Sequence, residues 1–180
     1  MIGGWPDRST KTLLLAGQSL IKQIDAGFAF GMKHYQFVDR VGDIFRWKGE
    51  NCSTNEVGEI INRHATVQVC NVYGVTIPGT DGRAGMAALL MHDGAPLDVE
   101  GISDLIHRDL ASYARPVFLR VLPELQLTGT FKMVKGELRD AAYHPDKCAD
   151  PIYVLKPASD HYELLDDVFY QKIVKGEAGF

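Results

Sequence analysis

The sequence predicts an α+β fold: a small mixed β-sheet with helices packed on it, an N-terminal β-hairpin and an ordered C-terminal tail. Three observations carry this. Two long stretches, "ATVQVCNVYGVTIPG" and "TDGRAGMAALLMHDG", are rich in β-branched or apolar residues and bounded by Gly or Pro, so each reads as a strand. Two other stretches start on capping residues and repeat apolar residues at helical spacing. Strand and helix patterns then follow the order β-hairpin, α, β, β, α, β, α, which places the helices on one side of a single sheet.

The first 36 residues are broken by Gly3, Gly4, Gly17, Gly27 and Gly31. Within them "TKTLLLAGQSLIKQI" has the apolar content of a helix, weakened by Gly17 and Ser19. "QFVDRVGDIFRWKGEN" predicts two short strands around a turn at Val41-Gly42-Asp43. In "STNEVGEIINRH", Ser53 and Glu56 form a capping box, and Val57, Ile60, Ile61 and His64 share one helical face. The two long strands come next and suggest a hairpin with one covered face. "PLDVEGISDLIHRDLASYARP" predicts a helix capped by Asp98, with Ile102, Leu105, Ile106 and Leu110 inward and an end before Pro116. "PVFLRVLPEL" is a third strand, "QLTGT" a loop and "KMVKGELRDAAYH" a last helix. The tail keeps Tyr153, Leu155, Tyr162, Leu164, Leu165, Phe169 and Tyr170, enough apolar surface to dock on the domain.

Composition narrows the function classes. A net charge of −4 and a pI near 5.8 give no basic field for nucleic acid. Cys52, Cys70 and Cys148 are widely spaced, without a CxxC pair or a His at ligand spacing, so neither a disulfide framework nor a metal site is indicated. The longest apolar run, "TLLLAG", is far short of a membrane span, and "MIGGWPDRSTKTLLLAG" lacks the long apolar core of a signal peptide. A cytoplasmic protein is expected.

Chemistry concentrates in two places. Lys132 lies in "LTGTFKMVKGELRD", just ahead of the last predicted helix. A lysine there is either a solvated loop residue or, with the pliant Thr128-Gly129-Thr130 and the free N–H groups of the helix, half of an anion-binding corner. The Gly-Lys-Ser/Thr spacing of a P-loop is absent. The second place is Asp39, Arg40, Asp43, Arg46, Lys48 and Glu50, six charges in twelve residues. They are either solvated edge charges or part of a connection that pivots at a glycine.

"FVDRVGDIFRWKGENCSTNEV", "VYGVTIPGTDGRAGMAAL", "YARPVFLRVLPELQLTGTFKMVKGELR" and "DPIYVLKP" together resemble the C-terminal domain of adenylate-forming acyl-CoA synthetases, in the branch of long- and very-long-chain fatty-acyl-CoA synthetases or fatty-acid transport proteins. The resemblance runs from about Phe37 to the C-terminus. It implies three parts: a divergent segment at 1–36 that is a remnant of, or replacement for, a large adenylation domain, the C-terminal domain at 37–145, and a docked tail at 146–180.

The resemblance also implies roles. Family members use ATP and magnesium to turn a fatty acid into an acyl-adenylate, then pass the acyl group to coenzyme A, while the C-terminal domain rotates as a lid. Lys132 matches the adenylation lysine and Arg40 the ribose-contacting arginine. The hinge falls at Gly42 or Asp43, and Gly49 matches the glycine that lets pantetheine pass. The upstream Thr-Gly-Asp segment of the family has no counterpart in "AGQSLIKQIDAGFAF", where Gln18 stands nearest. A chain lacking the large domain is expected to be inactive alone, to bind ATP, magnesium and coenzyme A weakly, and to need an N-terminal adenylation domain as partner, on a separate chain or replaced by self-association. Trp47 is expected on the face that self-association would cover. The family also brings peripheral membrane proximity. Two other readings stand beside the lid: a non-catalytic interaction module and an independent nucleotide binder.

Overall fold

A computed structural model describes residues 13–16, 19–24, 34–40, 44–123 and 135–180, the first three stretches and Lys135 by backbone alone. The chain divides into two compact units, Met1–Gly42 and Asp43–Phe180.

In the first unit β1 (Leu13–Ala16), β2 (Ser19–Ile24) and β3 (His34–Arg40) form an antiparallel sheet in the order β1-β2-β3. The stretch with the apolar content of a helix is thus a pair of strands. Ala16 lies opposite Ser19, so the connection has hairpin length, and Gly17 and Ser19 are poor helix formers at its centre.

The second unit opens with β4 (Ile44–Trp47) and β5 (Glu50–Ser53), paired with each other. The turn predicted at 41–43 therefore does not join two partnered strands: β3 pairs with β2, and β4 with β5. The hairpin turn is Lys48-Gly49, with φ of 51° and 85°. Two positive φ values define the mirror-image turn whose twist matches its strands.

Helix α1 (Thr54–Ile61) starts where predicted, with the Glu56 amide donating to the Ser53 hydroxyl at 3.3 Å. Strands β6 (Val67–Val75) and β7 (Ala84–Met91) pair antiparallel, and α2 (Val99–Asp109) begins as the Gly101 amide donates to Asp98 at 2.9 Å. β8 (Phe118–Leu122) lies parallel to β7, which makes the sheet mixed. After α3 (Lys135–Ala141), the tail supplies β9 (Ile152–Leu155), β10 (Tyr162–Leu164) and α4 (Asp167–Val174). The five-stranded sheet has the order β10-β9-β8-β7-β6, so the tail is built into it as two strands.

Both faces of this sheet are covered, and the helices do not all lie on one side. Gly58 of α1 packs on Val72, and the Tyr162 amide donates to Ser103 of α2 at 3.2 Å on the same face. On the other face Tyr143 stacks on Phe118 at 4.4 Å, and Phe180 meets the same ring edge-on. This explains β7: Ala84 to Leu89 are all buried, the pattern of a strand with packing on both sides rather than the one covered face expected.

Candidate functional site

The β4–β5 hairpin is fixed to the sheet by glycines. Gly74 and Gly85 stand directly opposite each other in β6 and β7, and Phe45 lies over the gap. A Cβ on Gly85 would meet the Phe45 ring at 2.8 Å, and one on Gly74 would meet the Phe45 Cβ at 2.8 Å. Next to this, the Arg83 amide donates to the Arg46 carbonyl at 2.6 Å, and Trp47 and Gly82 form an antiparallel bridge. Gly82 has φ of 88°, and a Cβ there would collide with the Arg46 carbonyl. Phe45 and Trp47 are buried while Arg46 and Lys48 between and beyond them are exposed, the alternation of a strand lying on a core. Trp47 is only 3% exposed, which corrects its expected place on a free apolar face.

Among the predicted site residues, Gly49 is at the tip of this hairpin, and a Cβ on it would meet nothing within 4 Å. Arg40 is the last residue of β3, opposite Ser19. Lys132, Gly42 and Asp43, and the side chain of Arg40, lie outside the described residues. Of the helix predicted from Lys132, the described part is Lys135–Ala141. The Lys132 segment connects β8, which runs parallel to β7, with α3. The glycine notch and Arg83 were not anticipated. Two glycines at equal register in facing strands, with a Gly-Arg step just before the second, carry that signal in the sequence.

Buried groups around the core are not poised for chemistry. Burial, with Glu50 and Glu56 adding to it, pushes the Cys52 thiol up to about 12, and burial pushes Cys70 up as well. Burial lowers the His144 pKa, and its Nδ1 pairs with the Tyr170 hydroxyl at 2.9 Å. The Arg120 guanidinium grips Asp150 through Nε at 2.7 Å and Nη2 at 2.6 Å. Tyr73 lies beside it without hydrogen-bond geometry, its pKa raised by burial against the pull of Arg120. Among the described residues no group of three or more His, Cys, Asp or Glu side chains is placed to hold a metal ion, and no helix is long and apolar enough to cross a membrane.

Residues 56–132 match the model of the AMP-binding enzyme C-terminal domain. They are an AMP-binding enzyme C-terminal domain. The match starts inside α1 and ends at Lys132. The chain is 41% identical over 141 residues to long-chain fatty acid transport protein 6 of Homo sapiens, covering 78% of this chain and 23% of that protein. It is 48% identical over 132 residues to the medium/long-chain-fatty-acid–CoA ligase FadD6 of Mycobacterium tuberculosis, covering 73% and 22%. The chain thus spans less than a quarter of the length of these relatives. The fold of this C-terminal domain recurs in the coronafacic acid ligase of Pectobacterium brasiliense, with a TM-score of 0.61 over 78% of the chain at 20% identity. The mixed sheet with its separate hairpin is therefore the C-terminal domain architecture of CoA ligases.

Proposed function

We propose that the chain acts as the lid half of a fatty-acid–CoA ligase, which joins a fatty acid to coenzyme A with conversion of ATP to AMP and pyrophosphate. The observation that carries this is the 48% identity to a fatty-acid–CoA ligase over a stretch that includes Lys132. In this reading residues 37–145 are the working lid, 146–180 complete its sheet, and 1–36 stand where the large adenylation domain joins. It acts in the cytoplasm, where free Cys52, Cys70 and Cys148 stay reduced.

The chemistry assigns each residue a task. When the fatty-acid carboxylate attacks the α-phosphorus of ATP and pyrophosphate leaves, negative charge builds on the phosphoryl oxygens. Lys132 stabilises it. Arg40 contacts the ribose, and rotation at Gly42 or Asp43 then withdraws Lys132 so that the thiol of coenzyme A can attack the acyl carbon and release AMP. Gly49 leaves room for the pantetheine arm, a reading supported by the open space beside its Cα. Magnesium enters with the nucleotide, held by its phosphates.

The partner is an N-terminal adenylation domain. The test joins these 180 residues to the larger domain of the mycobacterial relative and measures pyrophosphate release with ATP, magnesium, coenzyme A and palmitate. Turnover is expected, falling roughly 100-fold or more in Lys132→Ala. No dependence on Lys132 would overturn the reading. One observation favours self-association as a second role: Leu164, Val168 and Val174 are 58%, 70% and 44% exposed. A monomer by light scattering at high concentration counts against it.

A further inference from the structure

Helix α4 has two unlike faces. Phe169, Tyr170 and Ile173 turn inward: Phe169 meets Phe180 edge-on at 6.1 Å, the Tyr170 hydroxyl pairs with His144 at 2.9 Å, and Ile173 is fully buried. The outer face carries Asp167, Val168, Gln171, Val174 and Lys175, all exposed. A helix advances about 100° per residue, so these five positions fall within an arc of about 120° whose midpoint is Gln171. Val168 and Val174, 70% and 44% exposed, are two of the three exposed large apolar side chains among the described residues. The polar members of the face have no partner within the fold. Among the described residues the side chains of Asp167, Gln171 and Lys175 make no ion pair and no hydrogen bond, whereas their neighbours do: Lys156 holds Glu163 at 2.8 Å and Asp166 at 3.7 Å, and Asp166 accepts from the Phe169 amide at 2.7 Å.

The order of these residues is complementary to its own reverse. Val168 and Val174 stand three positions either side of Gln171, and Asp167 and Lys175 stand four positions either side. When two copies of a helix pack antiparallel about a two-fold axis at Gln171, the residue n places after 171 lies level with the residue n places before it on the other copy. Lys175 of each copy is then level with Asp167 of the other, and Val174 with Val168. The two Gln171 amides meet on the axis, each able to donate and to accept. Antiparallel alignment also sets the positive end of each helix dipole beside the negative end of the other. A parallel pair would set Asp167 on Asp167 and Lys175 on Lys175, and a partner carrying one sign of charge would be opposed at one end of the face.

We propose that the outer face of α4 is the contact through which two copies of this chain associate, antiparallel and centred on Gln171. The proposal rests on the self-association reading and names the surface that it uses. Two helices of 8 residues cover less than the roughly 1,200–2,000 Å² of a stable complex, so the dimer is weak and forms at high protein concentration.

Charge reversal tests the register. The 180-residue chain is followed by sedimentation equilibrium as the native chain, as Asp167→Lys, as Lys175→Asp, and as an equal mixture of the two variants. Each variant alone sets like charges level at both ends of the contact and should associate about ten-fold or more weakly than the native chain. The mixture restores an opposite pair at both ends and should associate far more strongly than either variant alone, less so as salt rises. A native chain that stays monomeric would overturn both this contact and the self-association reading. A native dimer that both variants form equally well, or variants that mixing does not rescue, would overturn this contact alone and leave self-association to another face.

Discussion

Cys52 shows how a single side chain sets a pH limit on the fold. Its Sγ–H donates to the Tyr113 carbonyl at 3.4 Å, and its pKa is pushed from 9.0 to about 12, by burial first and then by Glu50 and Glu56. The folded chain therefore holds this proton more tightly than the unfolded chain does. The stability that goes with it is whole below pH 9 and drains as pH rises from 9 toward 12, by up to about 1.4 kcal/mol per pH unit. Thermal unfolding of native chain and Cys52→Ala across that window should give the steeper decline for the native chain. Parallel curves would mean that the thiol does not titrate with folding. This property was invisible in the sequence, where Cys52 read as an ordinary thiol. The carbonyl that accepts from it belongs to Tyr113, a residue 61 positions away.

At the level of elements, the hairpin and the tail each have one contact whose contribution can be measured separately. Gly85→Ala puts a methyl against the Phe45 ring and should cost about 1–3 kcal/mol, partly recovered when Phe45→Leu gives the methyl room. Denaturant unfolding of the two single variants and the double variant reads this directly; additive losses would show that the ring and the glycine do not touch. Asp150→Ala would leave the Arg120 guanidinium buried without its partner, at a cost of about 3–5 kcal/mol, whereas Arg120→Met with Asp150→Leu should come close to neutral.

The local elements were legible because their signals are local. Ser53 with Glu56 and Asp98 with Gly101 mark two helix starts within one turn of chain, and β6 and β7 announce themselves by composition. Pairing was harder. Gly42-Asp43 is the stronger turn signal in the sequence, yet the hairpin turns at Lys48-Gly49, because Phe45 and Trp47 must both face the sheet. The tail's run at Ile152–Leu155 is β-branched enough for a strand, but its partner β8 lies 30 residues earlier, beyond any local pattern. The site was legible chiefly through resemblance. Gly49 alone among its expected residues has a described environment, and the Arg46–Arg83 opposition arises from a bridge that no spacing rule predicts.

For the whole molecule, one unit carries a five-stranded sheet covered on both faces, and within it residues 56–132 match the AMP-binding enzyme C-terminal domain. The proposed lid role calls for a rigid body, and the five-stranded sheet with its clamped hairpin supports that reading. The chain's 22–23% share of the relatives' length implies that the proposed turnover needs surfaces beyond these elements. The most direct measurement is acyl-CoA formation from palmitate, ATP, magnesium and coenzyme A by the 180 residues alone, by the larger domain of the mycobacterial relative alone, and by the two joined. The lid account predicts product only from the joined protein, abolished by Lys132→Ala. Product from the 180 residues alone, or from the joined protein regardless of Lys132, would contradict it.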